Sequence, residues 1–350
     1  MNYEQFISPQ TQFYKLPQAF QLESGEVLLG VEVAHRTWGQ LNSSRDNAVL
    51  ICHALTGSAD ADDWWEPLFG AGKIFDPEVN FIVCSNVLGS CYGTTGAVSI
   101  NPRTNQPYGA SFPKITIRDM VNLQAVLVKA LSIERLKLVI GGSLGGMQVL
   151  EWALLYPDLV DAIAPTAVSG RHSAWCIGLS EAQRQAIYAD PSWKNGNYTR
   201  LEPPSKGLAV ARMMAMSTYR SWSSFEHRFG RERNSYDLEE NFAIANYLRY
   251  QGEKLVQRFD ANTYINLTHA MDSHDVSRGR GSFNNVLSGV KQRTLVVAID
   301  SDILYPPCEQ EELAALIPDA KLVWLSSLDG HDGFLIDMGE LNDLVVSFLK

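Results

Sequence analysis

The chain has little that would tie it to a membrane, an oxidising compartment or a polyanion. Its five cysteines are odd in number and none is spaced as C-x-x-C, so neither a disulfide framework nor a zinc site is expected. No apolar run approaches the roughly 18 residues that a membrane helix requires. The opening segment, MNYEQFISPQTQFYKLPQAF, has no apolar stretch of the kind a secretory signal carries. Basic residues are outnumbered, 29 Lys and Arg against 39 Asp and Glu, for a formal net charge of −10. That balance argues against binding nucleic acid or an anionic membrane through overall charge. The expectation is a cytoplasmic protein with no metal ion, no nucleic-acid partner and no membrane partner. The one local basic stretch, Arg278-Gly279-Arg280, reads as a solvated turn.

What is present is an ordinary globular composition, 45% hydrophobic over 350 residues, enough for a large core. Four apolar runs of strand length stand at 47–54, 79–85, 136–142 and 160–168. Continuous runs of this kind suit strands buried on both faces, as in a parallel sheet. The segment TIRDMVNLQAVLVKAL spaces its apolar residues as a helix, with Thr116 as N-cap and Asp119 three residues on. The segment FQLESGEVLLGVEVAHRTWG reads as an antiparallel pair around Ser24-Gly25. Alternating strand and helix signals predict an α/β doubly wound sheet. From Gly170 to about Gly289 only helical patterns occur, including LEENFAIANYLRYQGEKLVQRF. Strands return at 293–299 and 321–327. The predicted organisation is an α/β core over 1–169 and 290–350, with a helical lid over 170–289.

The most informative stretch is LVIGGSLGGMQVLEW, in which an apolar run meets Gly-Gly-Ser143-Leu-Gly-Gly before a helical pattern begins. It matches G-x-S-x-G, the turn that exposes a nucleophilic serine between strand and helix. A β-carbon two residues to either side of the serine would collide with such a turn. The helix that follows aims its free N–H groups at the site. A serine needs a base, and in this fold the acid and the histidine follow it in that order, each after a later strand. After 293–299 comes DSDILYPP with Asp300 and Asp302; after 321–327 comes LDGHDGFL with His331. Of the seven histidines, only His331 follows the last predicted strand. His269 and His274 lie in the lid and read as structural, and His53 ends the first core run. The oxyanion is expected on the N–H of Leu144 and one from the loop HALTG, with Leu55 as the choice.

With these pieces placed, the sequence resembles the homoserine O-acetyltransferases, which have the α/β-hydrolase fold. The resemblance spans nearly the whole chain, through HALTGS, SNVLGSCYGTTG, GGSLGGMQVLEW, ARMMAMSTYRS, FEHRFGRE, MDSHDVSRGRG, DSDILYPP and GHDGFL. Several of these motifs lie in the lid, where plain hydrolases diverge. The family prefers GGSMGG, and Leu144 here replaces that Met with little change of volume. The resemblance implies Ser143 as nucleophile, His331 as base and Asp302 as its partner. It implies that Arg212 and Asp332 bind the amino-acid acceptor, with Tyr219 assisting. A guanidinium suits a carboxylate, and a carboxylate beside the base suits an ammonium. It also implies a homodimer formed through the lid and a role in methionine biosynthesis.

The implied reaction is ping-pong transfer from acetyl-CoA, a cosubstrate rather than a bound cofactor, to L-homoserine. Arg278 and Arg280 are secondary candidates for contacts to CoA phosphates. Succinyl-CoA as donor and L-serine as acceptor remain open; Ile303 and Leu304 after Asp302 supply no cation for an extra carboxylate, which favours acetyl. A carboxylester hydrolase on the same fold is a further alternative, as is an inactive hydrolase-fold binding protein.

Overall fold

The computed structural model describes residues 6–233 and 242–350. Among the described residues, eight strands form one sheet. They are β1 (Gln12–Lys15), β2 (Glu32–Trp38), β3 (Ala48–Cys52), β4 (Phe81–Ser85), β5 (Leu136–Gly142), β6 (Ala162–Thr166), β7 (Arg293–Ile299) and β8 (Ala320–Leu325). Their spatial order is β1-β2-β4-β3-β5-β6-β7-β8. The pairs β1–β2 and β2–β4 are antiparallel. All other neighbours are parallel.

The central parallel strands are mostly apolar because both of their faces are covered, whereas the edge strand β8 buries only Leu325. Leu50, Val139 and Val296 enter one apolar cluster, while Val49, Ile51, Ile140 and Val297 enter a second on the opposite face. The main helices are α1 (Ile117–Ala130), α2 (Leu144–Leu155), α3 (Ala174–Tyr188), α4 (Ser205–Tyr219), α5 (Trp222–Arg228), α6 (Ala243–Val256), α7 (Ala261–Asp272), α8 (Pro307–Leu316) and α9 (Met338–Leu349). α1 and α2 contribute to the first cluster; α9, with Leu341 and Val345, contributes to the second. α1 begins with a reciprocal cap. The Thr116 hydroxyl accepts from the Asp119 N–H, and the Asp119 carboxylate accepts from the Thr116 N–H. No helix among the described residues is long and apolar enough to cross a membrane.

The expected antiparallel pair around Ser24-Gly25 is smaller than its pattern suggested. Only Phe20–Gln21 and Val27–Leu28 pair there. Glu32–Trp38 instead joins the main sheet as β2, and the unpredicted β1 covers its outer edge. Helices α3 to α7 lie between β6 and β7. Of the helix expected over LEENFAIANYLRYQGEKLVQRF, residues 238–241 lie outside the described residues, and the remainder contains α6. The ends of this insertion meet: Arg171 bridges Asp275. Beside the bridge, the His172 N–H donates to the His274 carbonyl and the Val276 N–H to the Gly170 carbonyl.

Arg278 and Arg280 do not form a solvated turn. The chain after α7 folds back over α2, where a buried carboxylate needs cationic partners. Arg280 donates to Glu151 at 3.1 and 2.6 Å, and the Glu151 side chain is only 1% exposed. Arg278 grips Glu23 at 3.0 and 2.8 Å. Arg118 of α1 bridges both acids, at 3.0 Å to Glu23 and 3.1 Å to Glu151. Both lid arginines are thus committed to carboxylates, which corrects their candidacy as phosphate contacts.

This network fastens the returning end of the lid to the helix that starts at Ser143. Glu151→Ala strips Arg118 and Arg280 of a buried partner and should cost about 3–5 kcal/mol, read as a lower denaturant midpoint at unchanged slope. A loss below about 1 kcal/mol, the size of an exposed pair, would contradict this role.

Candidate active site

Ser143 stands between β5 and α2 with φ 58° and ψ −125°, a backbone conformation that L-residues rarely adopt. The neighbouring glycines make the turn possible. A β-carbon on Gly141 would lie 2.4 Å from the Cys52 carbonyl oxygen, and one on Gly145 would lie 2.1 Å from the same atom. The end of β3 therefore presses against the first turn of α2. A β-carbon on Gly142 would meet the Phe334 ring at 2.6 Å. Phe334 lies three residues past His331, and the two rings are 5.6 Å apart, so the loop after β8 reaches the serine turn.

His331 sits in the short 3-10 turn Gly330–Leu335. Its Nδ1–H donates to Asp302 Oδ2 at 2.7 Å. Asp302 Oδ1 accepts from the Leu304 and Tyr305 N–H groups at 2.8 and 3.0 Å, so the carboxylate is fixed from both sides. Both side chains are buried, and His331 Nε2 has no partner among the described residues. That is the disposition of a general base whose second nitrogen awaits a proton. Burial disfavours the imidazolium, but the charge and hydrogen bond of Asp302, with a contribution from Asp332, outweigh it and hold the pKa above the ordinary imidazole value. The other acid of the same loop, Asp300, accepts from the Ser326 hydroxyl at 3.1 Å and the Ser327 N–H at 3.0 Å.

The other inward-facing histidines have structural partners. His53 donates from Nδ1 to the Ala54 carbonyl at 2.8 Å and accepts the Val87 N–H on Nε2 at 3.1 Å. Burial lowers its pKa to about 4. Its ring thereby holds the loop that carries Leu55, and Gln148 of α2 donates to the His53 carbonyl at 3.3 Å. His274 lies 3.3 Å from the Ser169 carbonyl, with burial lowering its pKa to about 4. His269 is exposed. Leu144 is the first residue of α2, so its N–H has no intrahelical acceptor.

Arg212 and Tyr219 share one face of α4. The guanidinium lies 5.3 Å from the Tyr219 ring centroid, and that ring is 5.8 Å from His331. Arg212 Nη1 is buried and without a partner among the described residues. A buried guanidinium nitrogen left unmatched marks a place for an anion. Asp332 faces the same cluster. Burial raises its pKa, and Arg220, Arg212 and His331 only partly offset that.

Arg220 was missed in the sequence; its only signal was adjacency to Tyr219. It pairs with both Asp329 and Asp332, its Nε 3.1 Å from Asp332 Oδ2. That N–H is not aimed at the oxygen, so the contact is ionic rather than a hydrogen bond. Ser224 donates to Asp329 at 2.7 Å and Ser221 to the Leu328 carbonyl. Gly330, at φ 65°, has no room for a side chain, since its β-carbon would lie 2.7 Å from the Ser221 nitrogen. The end of α4 is thus packed directly on the His331 loop.

A family model described as the alpha/beta hydrolase fold matches residues 47–337. The chain is 70% identical over 350 residues to a homoserine O-acetyltransferase of Nostoc punctiforme, covering 99% of this chain and 98% of that one. Among solved structures it resembles homoserine O-acetyltransferase from Bacillus anthracis, at 27% identity, TM-score 0.91 and 97% coverage of each chain. It also resembles esterase E22, at 28% identity and TM-score 0.89, covering 97% of this chain and 99% of that one. The backbone therefore suits a transferase or a hydrolase, while the high-identity relative is a transferase by name.

A base that must be neutral loses activity as pH falls through its pKa. The acid limb of kcat/KM should lie above the ordinary imidazole range near 6.5. Asp302→Asn removes the charge that raises it while burial remains, so the limb should move to lower pH as the rate falls on the order of 10⁴-fold. A limb that stays in place would show that Asp302 does not set the charge state of His331.

Proposed function

The chain belongs to the homoserine O-acetyltransferase family, and from that premise we propose that it carries an acetyl group from acetyl-CoA to the side-chain hydroxyl of L-homoserine through an acetyl-Ser143 intermediate. His331 Nε2 takes the Ser143 proton, and Oγ attacks the thioester carbonyl. The developing oxyanion is held by the N–H groups of Leu144 and Leu55. His331 returns the proton to the departing CoA thiolate. L-Homoserine then enters with its carboxylate on Arg212 and its ammonium on Asp332, against Tyr219. His331 takes the hydroxyl proton, the hydroxyl oxygen attacks the acetyl carbon, and Ser143 leaves with the proton back on its oxygen.

The observation that carries this reading is the unmatched Arg212 guanidinium beside Tyr219 and Asp332, one ring away from His331. A simple ester hydrolase has no need of a cation and an anion spaced for an amino acid. Acetyl over succinyl is supported by Ile303, which follows Asp302 and offers no cation; its carbonyl is held by Trp175 Nε1 at 3.0 Å. Serine lacks only one methylene, a difference that a site discriminates weakly. Family membership also supports a homodimer through the lid, where Trp222 of α5 is 75% exposed. A monomer mass by light scattering would contradict that assembly.

In a thiol-release assay, acetyl-CoA turnover should require L-homoserine. Equal release without acceptor would instead make the protein a thioesterase. Arg212→Ala should raise the acceptor KM on the order of 100-fold, the loss expected of a charge-assisted contact. The first burst of thiol should persist in that variant; unchanged acceptor kinetics would remove Arg212 from the clamp.

A further inference from the structure

With Arg278 and Arg280 committed to carboxylates, the donor's phosphates need another seat. Most deeply placed arginines of this acidic chain are matched: Arg36 with Asp60 and Asp62, Arg118 with Glu23 and Glu151, and Arg184 with Asp272. One cavity of about 550 Å³ is different. Its lid wall carries Arg212, Lys254 and Arg258, and none of the three has a carboxylate partner among the described residues. Arg258 spends its donors on neutral oxygens, the Thr56 carbonyl at 2.7 Å and the Tyr92 hydroxyl at 2.6 Å. Lys254 is exposed in the last turn of α6, four residues before Arg258. The core wall is the loop Ala54–Ser58, which carries Leu55. Two acids also line the cavity. Asp60 is already held by Arg36 at 2.9 Å. Asp63 lies among Asp60 and Asp62, and burial together with their charge raises its pKa.

Arg212 has Asp332 beside it and is assigned to the acceptor. That leaves Lys254 and Arg258 as two cations with no carboxylate partner among the described residues of a chain of net charge −10, an arrangement suited to a visiting anion. The cavity runs from Arg212, beside the His331 cluster, to the exposed Lys254. We propose that it seats the phosphates of the thioester donor, with Lys254 as the outer cationic contact and Arg258 as the inner one. The assignment rests on acetyl-CoA being the donor. It gives Arg258 a second consequence: the guanidinium that faces the phosphates also holds the Thr56 carbonyl, one residue from the Leu55 N–H. Seating the donor's distant end therefore steadies the loop assigned to its carbonyl. Arg212 stays with the acceptor at the inner end of the cavity.

The test compares two donors that differ in phosphates, acetyl-CoA and S-acetylpantetheine, with saturating L-homoserine. The readout is the ratio of their kcat/KM values. In the wild type this ratio should be large and should fall with added salt, as screening weakens phosphate contacts. Lys254→Ala should reduce it several-fold, and Lys254→Glu at least tenfold, a size in keeping with a charge-assisted contact. Because Lys254 is exposed, these variants should fold, and circular dichroism melts check that. A ratio unchanged in both variants overturns the phosphate seat while leaving transfer itself intact. Absence of thiol release from either donor in the wild type overturns the donor reading and the seat together.

Discussion

A buried strand that becomes a helix through a single residue leaves almost no space around that residue. At Ser143 the clearance is set by one atom, the Cys52 carbonyl oxygen at the end of β3, which excludes a β-carbon on both Gly141 and Gly145. The strained backbone is held because β3, β5 and α2 are all fixed by burial on both faces of the sheet. The rest of the site is arranged against this turn. The loop from the end of β3 carries Leu55, with the His53 ring keeping its shape. The loop from the end of β8 brings Phe334 onto Gly142 and His331 with it.

The lid matters because it touches the same loop. Residues Tyr219 to Ser221 approach Gly330 so closely that no side chain fits between them. Arg220, Ser221 and Ser224 add two ion pairs and hydrogen bonds to residues 328–332. The residues assigned to the acceptor and the residue assigned as base are therefore parts of one packed unit. At the lid's other end, Arg278 and Arg280 fasten it to Glu23 and to Glu151 on α2. Transferase and esterase neighbours share this backbone, so the backbone alone does not separate the two chemistries.

The central strands were legible because strands buried on both faces are written as uninterrupted apolar runs, and β5 and β7 match their runs residue for residue. The cap at Thr116 was legible because it is local. The antiparallel edge was not: β1 is four residues of mostly exposed side chains, and its pairing with β2 depends on contacts more than 15 residues away in sequence. The serine turn, with an acid and a histidine in the loops after β7 and β8, was legible as motif and order. The choice between Asp300 and Asp302 needed resemblance, since both stand in one loop; the geometry gives Asp302 to His331 and Asp300 to the Ser326 hydroxyl and the Ser327 N–H. Arg220, Arg278 and Arg280 were misread or missed for one reason. Each is defined by a carboxylate more than 100 residues distant, and a lone arginine in a sequence looks solvated until that partner is found.

The central claim is that Ser143 holds the acetyl group and surrenders it to an amino acid rather than to water. Rapid quenching of the protein with acetyl-CoA in the absence of acceptor, followed by peptide mass analysis, tests it directly. The account predicts one acetyl group on the peptide carrying Ser143, lost when L-homoserine is added as O-acetyl-L-homoserine forms. Product formation with Ser143 never acetylated would contradict it.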